Sequence, residues 1–234
     1  MTDNVRVQEK PLYRTILEVG AIWIIAMAAY YTILPLFGVS LSYNTAPFLL
    51  AAYLLVWLAI SVYTFSDLFY LWVPVEKRLW VYGILCIGYG TVLYASIFLL
   101  STLPTLQGKI LIPYSDLLFA TPFYFIPKAV EVLLQQALIA ALVIALSRHT
   151  KSLRGVMLWY AILFGGTHAL IYALNDAPTP YALAVTMGAL ASSAVFPYLI
   201  LKVRSGFVHS YIIHLSFYIF AALVLHTWPP PGYF

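Results

Sequence analysis

Charge is what this chain has least of: charged residues make up 9% of its 234 positions against 63% hydrophobic, with a mean hydropathy of +0.93. So few charges do not fit a soluble domain of this length, and the solvent is therefore lipid. Cysteine is nearly missing too. A single Cys86, inside an apolar run where it reads as packing, excludes an intramolecular disulfide, a cysteine-based zinc cluster and a C-terminal prenylation signal. Long polar stretches are also lacking. The longest, about 66–78 and 104–116, leave no room for a large extramembrane domain, and the end WPPPGYF is expected to be a short extended stub.

Several catalytic signatures are missing as well. There is no HExxH for a zinc protease and no GxSxG for a serine nucleophile. No pair of aspartates falls inside an apolar run, because Asp67, Asp116 and Asp176 all lie between runs. The last run has no lysine, which removes a retinal Schiff base.

What is present is a series of apolar runs long enough to cross roughly 30 Å of hydrocarbon as helices. They lie near 15–37, 46–65, 79–103, 117–147, 156–175, 181–201 and 207–227. Continuous apolarity over helical lengths argues against the short alternating strands of a β-barrel. The expected fold is all-α: one transmembrane bundle of about seven helices, residues 1–234 forming a single domain. Every second connection is basic: Arg6, Lys10 and Arg14, then Lys77 and Arg78, then Arg148, Lys151 and Arg154, then Lys202 and Arg204. Only Lys109 stands among the others, so the N-terminus is expected in the cytoplasm and the C-terminus outside. A multi-pass protein of the plasma (inner) membrane is the expected setting. The net charge of +4 is accounted for by this topology and by anionic lipid, with no nucleic acid as partner. The first run exceeds the 7–15 residues of a signal-peptide core and has no clear small-residue cleavage site after it, so it is expected to stay as an anchor.

Against this background three polar groups are costly. Glu131 lies in PFYFIPKAVEVLLQQALIAALVIAL, where an ionised carboxylate costs several kcal/mol unless compensated. His168 and His214 occupy two other runs at comparable depth. Helical spacing puts Lys128, Glu131 and Gln135 on one stripe, Ser210, Tyr211, His214 and Tyr218 on another, and Tyr160, Phe164, His168 and Tyr172 on a third. Gly165 and Gly166 make room beside the third stripe for another helix or a substrate backbone. Three stripes converging on one cavity is the functional expectation; for a single histidine the bland alternative is an interhelical hydrogen bond. Pro122 and Pro127 predict a break or kink just before Lys128 and Glu131, the alternative being prolines that a membrane helix simply tolerates. Ala184, Gly188 and Ser192 form a small-residue packing seam, and the many tyrosines near run ends read as interfacial anchors.

These residues resemble the CAAX prenyl-protease and bacteriocin-processing (CPBP) intramembrane proteases, whose pattern is EExxxR, then FxxxH, then HxxxN or HxxxD on three helices. VEVLLQQALIAAL is similar to the first motif with Glu131 at its first acid, FGGTHAL matches the second with Phe164 and His168, and SGFVHSYIIHLSFY resembles the third with His214. The resemblance covers about residues 117–225. Three supporting positions depart from it: Val132 for the second acid, Gln136 for the arginine and Tyr218 for the closing Asn or Asp.

The resemblance implies a metal-independent glutamate peptidase acting on a peptide or protein substrate within or beside the bilayer, without a cofactor. In it Glu131 and His168 would activate water while His214, aided by Tyr218, polarises the scissile carbonyl. Lys128, Gln135, Gln136, Phe164 and Ser210 would be supporting residues. Burial works against an ionised Glu131, which then needs a donor such as Lys128. Zinc is the weaker option: Glu131, His168, His214 and His209 are suitable donors, but no helix carries a ligand pair at metal spacing. The alternative from another class is a non-catalytic membrane subunit or chaperone-like binder, with membrane lipid and a membrane protein as partners. Sealing of Glu131 against Lys128, away from the histidines, would favour it.

Overall fold

The computed structural model describes residues 10–39, 41–70, 120–174 and 179–227. The expected third span, the two polar connections apart from 66–70, Arg6, Lys77, Arg78, Cys86, Lys109 and the terminal stub lie outside them. Among the described residues every regular element is helical. In chain order these are α1 (Leu12–Leu36, with a π turn at Ala29–Ile33), α2 (Pro47–Thr64) and the short α3 (Ser66–Tyr70). They continue as α4 (Phe125–His149), α5 (153–174, with a π turn at Ala161–Gly165), α6 (Thr179–Lys202) and α7 (Gly206–Thr227). Five of these, α1, α2, α4, α6 and α7, are long and apolar enough to cross a membrane.

Helix α4 is the hub. Of its most apolar window 78% is buried, against 17–39% in the other four, and α1, α2, α5, α6 and α7 all pack on it. The continuous apolar face of Leu134 and Ala137–Leu146 explains this: a helix apolar all round sits inside a bundle. The outer helices expose Leu17, Ile24, Leu55, Val56 and Phe220, side chains suited to acyl tails rather than water.

Local chemistry sets the ends. Lys10 Nζ donates to Glu18 and to the Thr64 carbonyl, and Tyr53 OH donates to the Ala26 carbonyl, so α1 and α2 run antiparallel. Gly38, at φ 73°, ends α1 in the left-handed conformation glycine tolerates best. At the α6–α7 turn Ser205 carries a φ of 58°, and a Cβ on Gly206 would collide with the Leu199 carbonyl. That turn brings α7 back along α4: Lys128 meets Tyr218 while Gln136 meets Ser210, an antiparallel register.

For the six expected spans that fall among the described residues, the limits agree with the helices to within a few residues, except in the fourth. There the chain enters through a 3-10 turn at Pro122–Tyr124, and α4 starts at Phe125 rather than near 117. Pro127 falls in the first helical turn, where its missing N–H removes no ladder bond. The irregularity expected before Lys128 and Glu131 takes the form of this 3-10 turn, and the prolines stand where the helix begins.

Candidate functional site

The second turn of α4 carries a buried ion pair. Lys128 and Glu131 are each 6% exposed, and Lys128 Nζ donates to Glu131 Oε2 at 2.5 Å. The same oxygen accepts from Tyr43 OH at 2.5 Å, and Oε1 accepts from Gln135 Nε2 at 3.0 Å. Three donors thus offset the desolvation of one carboxylate, which is how an acid is tolerated at this depth. Burial first, then the Glu131 carboxylate, push the Tyr43 phenol well above its ordinary pKa, so it stays a donor.

Tyrosine faces enclose the ammonium. Lys128 Nζ is 4.6 Å from the Tyr43 ring centroid, 4.5 Å from that of Tyr218 and 5.7 Å from that of Tyr124. These are cation–π distances, strengthened where water is excluded. Tyr43 reaches this cage from the connection between α1 and α2, and Tyr124 from the 3-10 turn before α4. Sequence reasoning missed both, because a tyrosine outside a helix carries no periodicity and resembles an interfacial anchor.

A second polar set ties α7 to α4 one to two turns further along. Gln136 is fully buried; its Nε2 donates to Ser210 Oγ at 2.6 Å, and its Oε1 lies 3.4 Å from His214 Nδ1. Ser210 Oγ donates to the Phe207 carbonyl at 2.9 Å, and Tyr211 OH to the Ala129 carbonyl at 3.2 Å. The stripe of Ser210, Tyr211, His214 and Tyr218 therefore faces α4, as the spacing implied.

On α5 the third stripe is an aromatic column. Tyr160 stacks on Phe164 at 5.1 Å between centroids, and Phe164 meets His168 at 4.4 Å. His168 Nδ1 lies 2.8 Å from the Phe164 carbonyl. Of the two glycines, Gly165 is buried against Leu190 of α6, while a Cβ on Gly166 would meet nothing. Gly188 faces the Phe217 ring, so the small-residue seam on α6 receives α7 there. The Tyr172 side chain lies outside the described positions, as does that of Ala184.

Between α5, α6 and α7 lies a cavity of about 240 Å³. Both imidazoles line it, with Tyr218, Ser192, Phe164, Phe196 and Phe217 among the walls. Glu131, Lys128, Gln135, Gln136 and Ser210 are not among its described lining residues. The expectation that three stripes meet in one cavity is thus corrected: two meet there, and the acid sits one layer behind. Tyr218 joins the layers, because its ring packs on His214 at 5.7 Å and on the Lys128 ammonium from the other helix. The physical reason is charge. A carboxylate in lipid draws the nearest cation, and Lys128 one turn away on the same helix is nearer than either imidazole.

Among the described residues no group of three or more His, Cys, Asp or Glu side chains is disposed to hold a metal ion. His209, weighed as a fourth donor, is buried near the start of α7, away from the described cavity lining.

No family model, curated protein or solved structure matches this chain.

Proposed function

We propose that this chain is a membrane-embedded binding protein whose cavity between α5, α6 and α7 takes a small, largely apolar ligand or side chain. On this reading it has a CPBP-like layout without the hydrolytic step. One observation carries it: Glu131 is consumed by Lys128, Tyr43 and Gln135 and lies outside the described cavity lining. A general base must reach its water, and the oxygens of this acid are already taken by an ammonium and two neutral donors. The cavity size supports a single ring with a short chain, since cavities of roughly 150 Å³ accept benzene. The basic connections support an N-terminus in the cytoplasm, with the plasma (inner) membrane as the proposed setting.

The test is photolabelling in nanodiscs with a diazirine-bearing alkylbenzene, the adducts mapped by mass spectrometry. Adducts on Phe164, Phe196 or Phe217, retained in Glu131→Gln and lost in Gly188→Leu, are expected. Adducts confined to lipid-facing residues would overturn the reading.

A second reading has a specific observation in its favour. Lys128 and Tyr218 link the carboxylate to His214 through two side chains, so opening the ion pair would bring acid and imidazole toward one space. This is the intramembrane peptidase implied by the resemblance, with a peptide or protein substrate. Its signature is cleavage of reconstituted membrane peptides that disappears in Glu131→Gln; cleavage equal in both proteins would reject it.

A further inference from the structure

The hydrogen atoms of the second polar set can be placed by elimination. Ser210 has one hydroxyl hydrogen, and it goes to the Phe207 carbonyl at 2.9 Å. Its oxygen is then the acceptor in the 2.6 Å contact with Gln136, so Gln136 turns its amide nitrogen toward Ser210 and its carbonyl oxygen toward His214. A carbonyl oxygen cannot donate. The 3.4 Å contact therefore requires hydrogen on His214 Nδ1. Gln136 lies outside the described cavity wall, so the Nδ1 edge is committed to α4 and Nε2 is the ring nitrogen left for the cavity. No carboxylate stands among the described lining residues to pair with an imidazolium.

We infer that Gln136 and Ser210 are positioning residues that hold His214 as its Nδ1–H tautomer, so that Nε2 presents a lone pair to the cavity and selects a hydrogen-bond donor. The ligand class is an apolar molecule or side chain carrying one hydroxyl or N–H group. This choice of ligand rests on the binding reading; the tautomer does not. It also bears on the peptidase reading, because polarising a scissile carbonyl requires a donor from His214, and this tautomer has none at Nε2. Where the CPBP pattern has an arginine, this chain has a neutral amide that can accept from Nδ1, and the substitution fixes the ring.

Two measurements test it. The first is ¹⁵N NMR of histidine-labelled protein in nanodiscs without ligand, with His214 assigned by its loss in His214→Phe. A pyrrole-type Nδ1 and a pyridine-type Nε2 are expected, with Gln136→Met moving protonation toward Nε2. A protonated Nε2 in the unsubstituted protein overturns the inference whether or not the variant folds. The second is displacement of the photolabel by 4-propylphenol and by its methyl ether, 4-propylanisole. The phenol is expected to compete about tenfold better, the worth of one hydrogen bond, with the advantage lost in His214→Phe. Equal competition overturns the ligand class while leaving the binding reading intact. Competition by neither overturns both, and the tautomer is then judged on the NMR spectrum alone.

Discussion

The Lys128 ammonium lies 4.5 Å from the centre of the Tyr218 ring, and that ring is also a wall of the cavity that His168 and His214 line. One aromatic side chain thus has a charged layer on one side and the cavity on the other. Changes in the ion pair are therefore expected to reach the cavity through Tyr218, and each residue of the pair can be tested on its own.

Lys128→Met leaves a buried carboxylate with only neutral donors. It is expected to lower stability by about 3–5 kcal/mol, as breaking a buried ion pair does. Glu131→Gln should cost less, because the ammonium keeps three tyrosine faces. The double variant Lys128→Met/Glu131→Leu should recover most of the loss. Chemical denaturation in mixed micelles measures all three; equal losses for the two single variants would reject this account.

Tyr43→Phe removes the phenol hydrogen bond to Glu131 while keeping the ring over Lys128. A loss of about 1–3 kcal/mol is expected from the acceptor left short of a donor. Tyr43→Ala should lose more, since the cation–π face goes too. The difference between the two variants isolates the ring.

Gly206→Ala places a methyl group against the Leu199 carbonyl, part of the backbone that cannot give way like a side-chain end. It is expected to lower the unfolding temperature sharply and reduce folded yield, by at least the 1–3 kcal/mol typical of overpacking. Gly188→Ala meets only the Phe217 ring at 3.2 Å and should fold, with photolabelling of the cavity reduced.

Topology is testable in a Cys86→Ser background. Cysteine at Thr45, in the α1–α2 connection, should react with an impermeant maleimide added outside intact cells. Cysteine at Lys151, in the α4–α5 turn, should react only after the membrane is opened. Both positions are exposed. Labelling of both from outside would overturn the orientation.

The sequence discloses helices well here because apolar length in lipid leaves the backbone one economical choice. It discloses the stripes nearly as well: Ser210, Tyr211, His214 and Tyr218 all face α4 because helical spacing fixes direction around an axis. It does not disclose which stripes share a space. Depth, helical spacing and the resemblance together pair Glu131 with His168 and His214, yet Lys128 three residues away and Tyr43 eighty-eight positions away hold its carboxylate. Long-range contacts from irregular segments, such as Tyr43 on Glu131 and Asn44 on Thr121, leave no periodic trace. The prolines left a break and a bend equally open for a related reason: a proline's effect depends on whether the helix has already begun.

The π turn at Ala161–Gly165 has an effect beyond its own five residues. In a regular α-helix each four-residue step overshoots a full turn by about 40°, so two steps would swing His168 about 80° from the direction of Tyr160. The wider i→i+5 winding takes up that surplus and keeps Tyr160, Phe164 and His168 in one column, the first two rings stacked and the third tilted against Phe164. The imidazole's bearing is therefore encoded in how the main chain coils beneath it. Deleting one residue from 161–163 is expected to tighten the coil and rotate His168 out of the cavity while every side chain that lines it stays in the sequence.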